Sequence, residues 1–249
     1  MANSPTFVKT RSDTIWFWGK HVVQAMLNNP KRRIEALFCT SDESLPHTHL
    51  SCPVHRVTAH HLSRYLPVGA VHQGIALKAF PLADLADDAI APEKGHVLVL
   101  DTIVDPHNVG ALWRTAAVFG LQAVIMTKDR APDINGTVAK AACGATEIVP
   151  FVRVTNLVRT LERLQKKGFF VVGLAEQGDG MISHLPAEPI ALVVGAEESG
   201  LRRLTRETCD TIVHIPTSDS FSTLNASVAG AIAMHCLPPF SSIASRLST

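Results

Sequence analysis

Charge of either sign is scarce and nearly balanced. Lys and Arg number 23 against 22 Asp and Glu, which leaves a net charge of +1 with the 12 histidines neutral. That excludes a global polycation, so a nucleic-acid partner would have to be gripped by local basic patches. The candidates are Lys31, Arg32 and Arg33, and later Arg202, Arg203 and Arg206, each of which charge alone reads first as a solvated helix end or loop. Long apolar runs are missing as well: "FFVVGLA" (169–175) is among the longest, far short of the ~20 residues that span a bilayer. The opening "MANSPTFVKTRSD" has no apolar core of signal-peptide length. Cys39, Cys52, Cys143, Cys209 and Cys236 are odd in number, scattered, and form no C-x-x-C pair, which argues against a disulfide framework or a zinc site and for a reducing compartment. There is no internal repeat, and no G-x-G-x-x-G follows any strand-like run, which disfavours a nucleotide-cofactor oxidoreductase. The expectation is a cytoplasmic protein with no membrane segment and no metal.

What is present fits one large or two small globular domains: 249 residues, 46% hydrophobic and 18% charged. Residues 1–13 read as a disordered start. From 14 to 80 a small αβ unit is expected, with a helix over "GKHVVQAMLNN", a strand over "RIEALFCT", a short strand and helix over "HRVTAHHLSRYL" and a strand over "HQGIALKAF". The acidic, Pro- and Ala-rich 81–94 reads as a linker. From 95 to 240 the texture changes. Short apolar strands ("HVLVLD", "QAVIMTK", "TEIVPFV", "FFVVGLAE", "IALVVGAE", "TIVHIP") alternate with helical segments at 109–119, 155–167 and 224–236. That alternation is the mark of an α/β parallel sheet. Residues 241–249 read as a tail.

Ligands of open α/β sheets gather at the carboxyl ends of strands, and three such ends carry unusual residues. "GAEESGL" places Gly195 and Gly200 where the backbone can approach a ligand closely, while Glu197 and Glu198 repel a phosphate and suit a cationic or hydroxyl-rich one. "IPTSDSFSTLNAS" leads into a helix of small residues, which Asn225 either caps or leaves for reading a ligand. In "DPHNVGALWR", Asn108 is a candidate helix cap and Gly110 permits close approach. Arg114, one turn further on an apolar helix start, needs an anionic or hydroxylic partner, with a structural ion pair to Glu197 as the plain alternative.

Together these loops resemble the SpoU (TrmH-like) family of RNA ribose 2′-O-methyltransferases. Its N-x-G-x-x-x-R-T motif is matched by Asn108, Gly110, Arg114 and Thr115. Its G-x-E-x-x-G-L motif is matched by Gly195, Glu197, Gly200 and Leu201. The I-P…S-L-N-x-S motif is matched by Ile215, Pro216, Leu224, Asn225 and Ser227, with Thr223 for the first Ser. Glu198 and Asp219 stand where the pattern commonly has Gly. The resemblance implies a SPOUT-type trefoil-knot domain over 95–240 that binds S-adenosylmethionine and works as a homodimer with the active site at the interface. The unit at 14–80 looks like an L30e-like RNA substrate-binding domain. Methyl transfer to a ribose 2′-hydroxyl is implied, with a guanosine of 23S rRNA as the foremost target. Asn108, Arg114, Glu197, Thr223 and Asn225 carry over as the catalytic group; Gly195, Gly200, Ile215 and Leu224 as cofactor contacts; and Lys31, Arg32 and Arg33 as the RNA grip. Two alternatives stay open: a tRNA methyltransferase, and a non-catalytic RNA-binding or ribosome-assembly factor on the same fold, which Glu198 and Asp219 allow.

Overall fold

Gly19, with φ 94°, opens α1 (Lys20–Asn28), and Asn29-Pro30 closes it, because a proline drives its predecessor out of helical geometry. α1 lies on one face of a four-stranded sheet of order β1-β4-β2-β3, built from β1 (Ile15–Trp18), β2 (Ile34–Cys39), β3 (Val54–Arg56) and β4 (Ile75–Ala79). Alternation along the strands sends Phe17, Leu37, Ile75 and Leu77 towards α1 and Trp16, Trp18, Phe38 and Ala76 towards α2 (Ala59–Ser63). The computed structural model describes residues 14–42, 45, 50, 52–218, 220 and 222–239. The expected disordered start, the tail and Asp219 lie outside the described residues.

The larger unit is a seven-stranded, all-parallel sheet of order β7-β6-β5-β10-β8-β11-β9. Its strands are β5 (Val97–Asp101), β6 (Ala123–Thr127), β7 (Phe151–Val154), β8 (Phe170–Leu174), β9 (Gly180–Met181), β10 (Ile190–Gly195) and β11 (Thr211–His214). The central strands are buried end to end, as a sheet covered on both faces requires. One face packs on α3 (Pro106–Val118), α4 (Gly136–Ala141) and α7 (Ala226–His235), the other on α5 (Leu157–Lys166), with α6 (Arg203–Thr208) beside α5. The chain runs outward from β5 through β6 and β7, then returns to β8 and inserts β10 beside β5. The switch point between β5 and β10 is where an open sheet leaves a crevice.

One local expectation is corrected, and two helices add to those read from the sequence. "TEIVPFV" is not one strand: after Gly144, at φ 86°, residues 145–147 make a single 3-10 turn, and extended backbone begins at Phe151. α4 and α6 were not anticipated, although Asn135 caps α4 by accepting from the Thr137 and Val138 N–H groups. Residues 81–94, the expected linker, are fastened to the larger unit. Leu85 N–H donates to Phe151 O, Asp84 accepts from Arg153 Nε and Nη2 at 2.8 Å each, and Lys167 Nζ reaches the carbonyls of Asp87, Asp88 and Ile90.

α4 is also the seat of the small domain. A Cβ on Gly136 would lie 2.1 Å from the Trp18 ring and 2.4 Å from the Trp16 carbonyl. Next to this contact the Arg32 guanidinium meets Glu147 with both side chains 2% exposed, and its Nη1 donates to Phe80 O at 2.7 Å. Asn29 Nδ2 adds a 2.9 Å bond to the same carboxylate. No helix among the described residues is long and apolar enough to cross a membrane.

Candidate active site

β5 ends in Asp101, whose fully buried carboxylate accepts from the Arg202 N–H at 3.0 Å and from Arg202 Nε at 2.6 Å. This fastens the loop after β5 to the loop after β10, whose strands end side by side with Gly195 paired to Asp101. Sequence reasoning took Arg202 for a surface cation and passed over Asp101. An aspartate closing an apolar strand was the available signal.

The α3 cap is Asp105, which accepts from the His107 N–H at 3.0 Å, with Pro106 in the first turn. The expectation that Asn108 caps the helix is therefore wrong, and its amide is left to work sideways. Asn108 Oδ1 accepts from Asn225 Nδ2 at 3.1 Å, and its Nδ2 approaches Glu197 Oε2 at 3.5 Å. Asn225 both caps α7 and bridges. Its Oδ1 accepts from the Ser227 N–H at 2.9 Å and the Ser227 hydroxyl at 2.6 Å, while its Nδ2 also donates to Glu197 Oε2 at 3.1 Å. The cap requires the oxygen to face Ser227, so the nitrogen must face Glu197. One residue from each of the three motif loops thus meets in a single cluster.

Gly195 and Gly200 are present for the turn between them. Ala196 and Gly200 exchange both backbone hydrogen bonds, at 3.2 and 2.8 Å, and Gly200 sits at φ 61°. A Cβ on Gly195 would stand 2.3 Å from the Gly200 carbonyl carbon. What approaches Gly195 closely is the loop's own backbone, and the closed turn presents Glu197, Glu198 and Ser199 at the rim. Below that rim lies a cleft of about 840 Å³ at the ends of β8, β10 and β11, with Gly195, Gly200, Ile215, Thr223 and Leu224 in its wall.

Arg114 is elsewhere. It is exposed, and its Nη1 lies 3.3 Å from Cys143 Sγ, with no ion pair to Glu197. The expected burial, and with it the need for an anionic partner, is absent. Six residues from Asn108 correspond to about 240° around a helix, so the two side chains leave α3 on different sides. Gly110 is spent on α4: a Cβ there would be 2.4 Å from Ala141 Cβ.

Among the three proposed cations of the small domain, Lys31 is exposed and Arg33 lies over the Phe80 ring at 4.0 Å. Arg32 is corrected: its charge is consumed by Glu147, and it holds the domains together instead of gripping a ligand. Among the described residues no group of three or more His, Cys, Asp or Glu is placed to hold a metal ion. Cys209, packed under β8, is no nucleophile, because burial, reinforced by Asp210 and Asp101, pushes its thiol up to about 12.

Residues 95–235, which carry this sheet and its three-loop cluster, match the family model of the SpoU rRNA Methylase family. The chain belongs to that family. It is 40% identical over 231 residues to the 23S rRNA (guanosine-2′-O-)-methyltransferase RlmB of Escherichia coli K12, covering 87% of this chain and 95% of that one. Against the RlmB of Pseudomonas aeruginosa it is 38% identical over 232 residues, covering 87% and 93%. Among solved structures, the SpoU methyltransferase AviRb from Streptomyces viridochromogenes, in complex with AdoMet, superposes with a TM-score of 0.79 at 20% identity, covering 96% of this chain and 92% of that one. The AdoMet-bound rRNA methyltransferase from Sinorhizobium meliloti gives 0.75 at 22% identity, over 90% and 87%. The last two establish likeness of fold, and the first two the family at close range.

Proposed function

We propose that this chain moves the methyl group of S-adenosylmethionine to the 2′-hydroxyl of a ribose in RNA, on a guanosine of 23S rRNA in the cytoplasm. The observation that carries the reading is the Asn108–Glu197–Asn225 cluster, which ties three separate loops at the mouth of the cleft. Residues 95–240 are the catalytic domain in this reading and 14–80 the RNA-binding one, with 81–94 between them.

The cleft's donor set suits the cofactor. Leu174, Val194 and Ala229 offer apolar wall, while Glu176, Glu197 and Glu198 put carboxylates beside it that complement sulfonium and ammonium charge. Gly195, Gly200, Ile215 and Leu224 would hold it, mainly through backbone. When bound, S-adenosylmethionine supplies a methyl already activated on sulfur, so the protein's task is alignment of the ribose oxygen.

Arg114 is assigned to the nucleotide. A guanidinium does not give up its proton in a protein, so it grips phosphate and stabilises developing alkoxide charge instead of acting as the base. Because it stands apart from its own chain's Glu197, the arrangement favours a homodimer in which one copy's Arg114 serves the other's cleft. Exposed Val104 and Val228, near the starts of α3 and α7, are apolar surface such a contact would cover. Glu197 and the two asparagines keep the loops in register, Thr223 contributes a hydroxyl at the rim, and Lys31 and Arg33 add phosphate contacts. The insertion of β10 between earlier strands, with two loops folded around one cleft, is compatible with the trefoil knot.

The test is incubation of the full chain with methyl-labelled S-adenosylmethionine and separated rRNA and tRNA fractions, followed by mapping of 2′-O-methylated nucleotides. Label on a 23S guanosine ribose is expected. Label on tRNA would redirect the substrate, and label on neither would reject the activity.

A further inference from the structure

The forty residues 44–83 contain no Asp or Glu and six of the 12 histidines. In space, part of that stretch forms a face rich in stacked rings. Tyr65, just past α2, stacks on Trp16 of β1 with centroids 4.9 Å apart and planes 14° from parallel. His61 stacks on Tyr65 at 5.4 Å and 25°, and His55 of β3 on Phe38 of β2 at 4.9 Å and 26°. Trp16 and Phe38 join the two stacks at 4.8 Å.

Core packing accounts for Trp18, Leu62, Leu66 and Ala76 beneath α2, all of them buried. It does not account for the rim. Tyr65 is 46% exposed and His55 and His61 are exposed, an arrangement that leaves large flat rings in water at a cost. Cations flank part of this face. Lys78, in register with Trp16, pairs with Glu35, while Arg56, one residue past His55 on β3, turns to the other face and pairs with Asp42. Arg64, next to Tyr65 in the chain, makes no ion pair with a carboxylate among the described residues.

We infer that this face, built on Trp16, Phe38, His55, His61 and Tyr65, takes an unpaired nucleobase of single-stranded RNA, with Lys78 and Arg64 on the adjoining phosphates. Stacking on aromatic rings is the sequence-tolerant way proteins hold unpaired bases, and a carboxylate-poor surface suits a polyanion. The location is also suitable. Trp16 and Trp18 rest on Gly136 at the start of α4, and Cys143, seven residues on, meets Arg114. Both contacts are thus made by α4 and the residues just after it, so a run of nucleotides could occupy this face and Arg114 at once. The inference rests on the reading of the chain as an RNA-modifying enzyme, and it moves the principal RNA contact of the small domain away from Lys31–Arg33.

The test measures binding of the full chain to a fluorescein-labelled single-stranded oligoadenylate and to an RNA duplex of equal length, by anisotropy. Tyr65→Ala should weaken single-strand binding about tenfold, Tyr65→Phe should leave it within about twofold, and duplex binding should change little. His55→Ala, on an exposed edge strand, should also weaken single-strand binding and serves as the readout should Tyr65→Ala fail to fold. Undiminished single-strand affinity in the alanine variants overturns the inference and leaves the face to a protein partner; equal loss on both RNAs overturns stacking as its basis. A wild-type chain that binds through Tyr65 but transfers no methyl to any RNA rejects the proposed activity alone. Normal transfer with binding indifferent to Tyr65 and His55 rejects this inference alone.

Discussion

Asn225 Nδ2 lies 3.1 Å from Glu197 Oε2 while the Oδ1 of the same side chain caps α7 through the Ser227 N–H at 2.9 Å. The two roles can be separated by substitution. Asn225→Asp keeps an equally good cap but loses both amide donors and sets a second carboxylate against Glu197. The variant should melt close to the wild type and lose tenfold or more in kcat/KM for methyl transfer, about 1.4 kcal/mol of transition-state stabilisation. Full activity would reduce the cluster to scaffolding.

Arg114→Ala should lower transfer by about 10²- to 10³-fold, as loss of a charge-stabilising donor does, and leave S-adenosylmethionine affinity unchanged by calorimetry. Mixing it with Asn225→Asp adds a decisive arm. If Arg114 serves the other copy's cleft, hybrid dimers carry one site with both lesions and one intact. Activity should then recover to about a quarter of wild type. No recovery would return Arg114 to its own chain's cleft.

The Arg32–Glu147 pair, 2% exposed on both sides, joins the domains. Arg32→Met or Glu147→Gln alone strands a charge in the interior and should cost about 3–5 kcal/mol in urea unfolding. Arg32→Met combined with Glu147→Leu should recover much of that loss. Additive losses in the double variant would mean that the other partners, Phe80 and Asn29, dominate.

His96 is held by two backbone groups: its Nδ1 accepts from the Ile190 N–H at 2.9 Å, and its Nε2 donates to Pro238 O at 2.9 Å. An accepting Nδ1 requires the neutral ring, and burial lowers the folded pKa below the ordinary 6.5. The unfolded chain then binds the proton more readily. The stability His96 contributes is complete above pH 6.5 and drains away as pH falls through the folded value. Thermal unfolding across that range should show a steeper acid loss in the wild type than in His96→Asn. Parallel curves would assign the loss to other groups.

The parallel sheet was legible because fully buried strands read as unbroken apolar runs, and "VLVLD" or "IALVVG" has little else to be. The motif residues were legible as types in order. Their partners were not. Whether Asn108 or Asp105 caps α3 depends on where Pro106 starts the helix, a boundary of three residues that sequence does not resolve. Arg32 looked like its neighbours because nothing local marks it for burial; its fate is decided by Glu147, 115 residues away. α4 was hidden by Gly136 at its first turn, a poor helix former whose missing side chain is what leaves room for the Trp18 ring. Side-chain pairing at long range is the part that composition and periodicity do not encode.

The strap at 81–94 has a practical meaning for anyone exchanging modules between relatives. Its hydrogen bonds run forward, to Phe151, Arg153 and Lys167, all in the larger unit. A chimaera cut at residue 95 would strip that unit of its own fastening and of Ile90, which is 1% accessible within its core. One cut just after Phe80 would carry the strap along with the sheet it is sewn to.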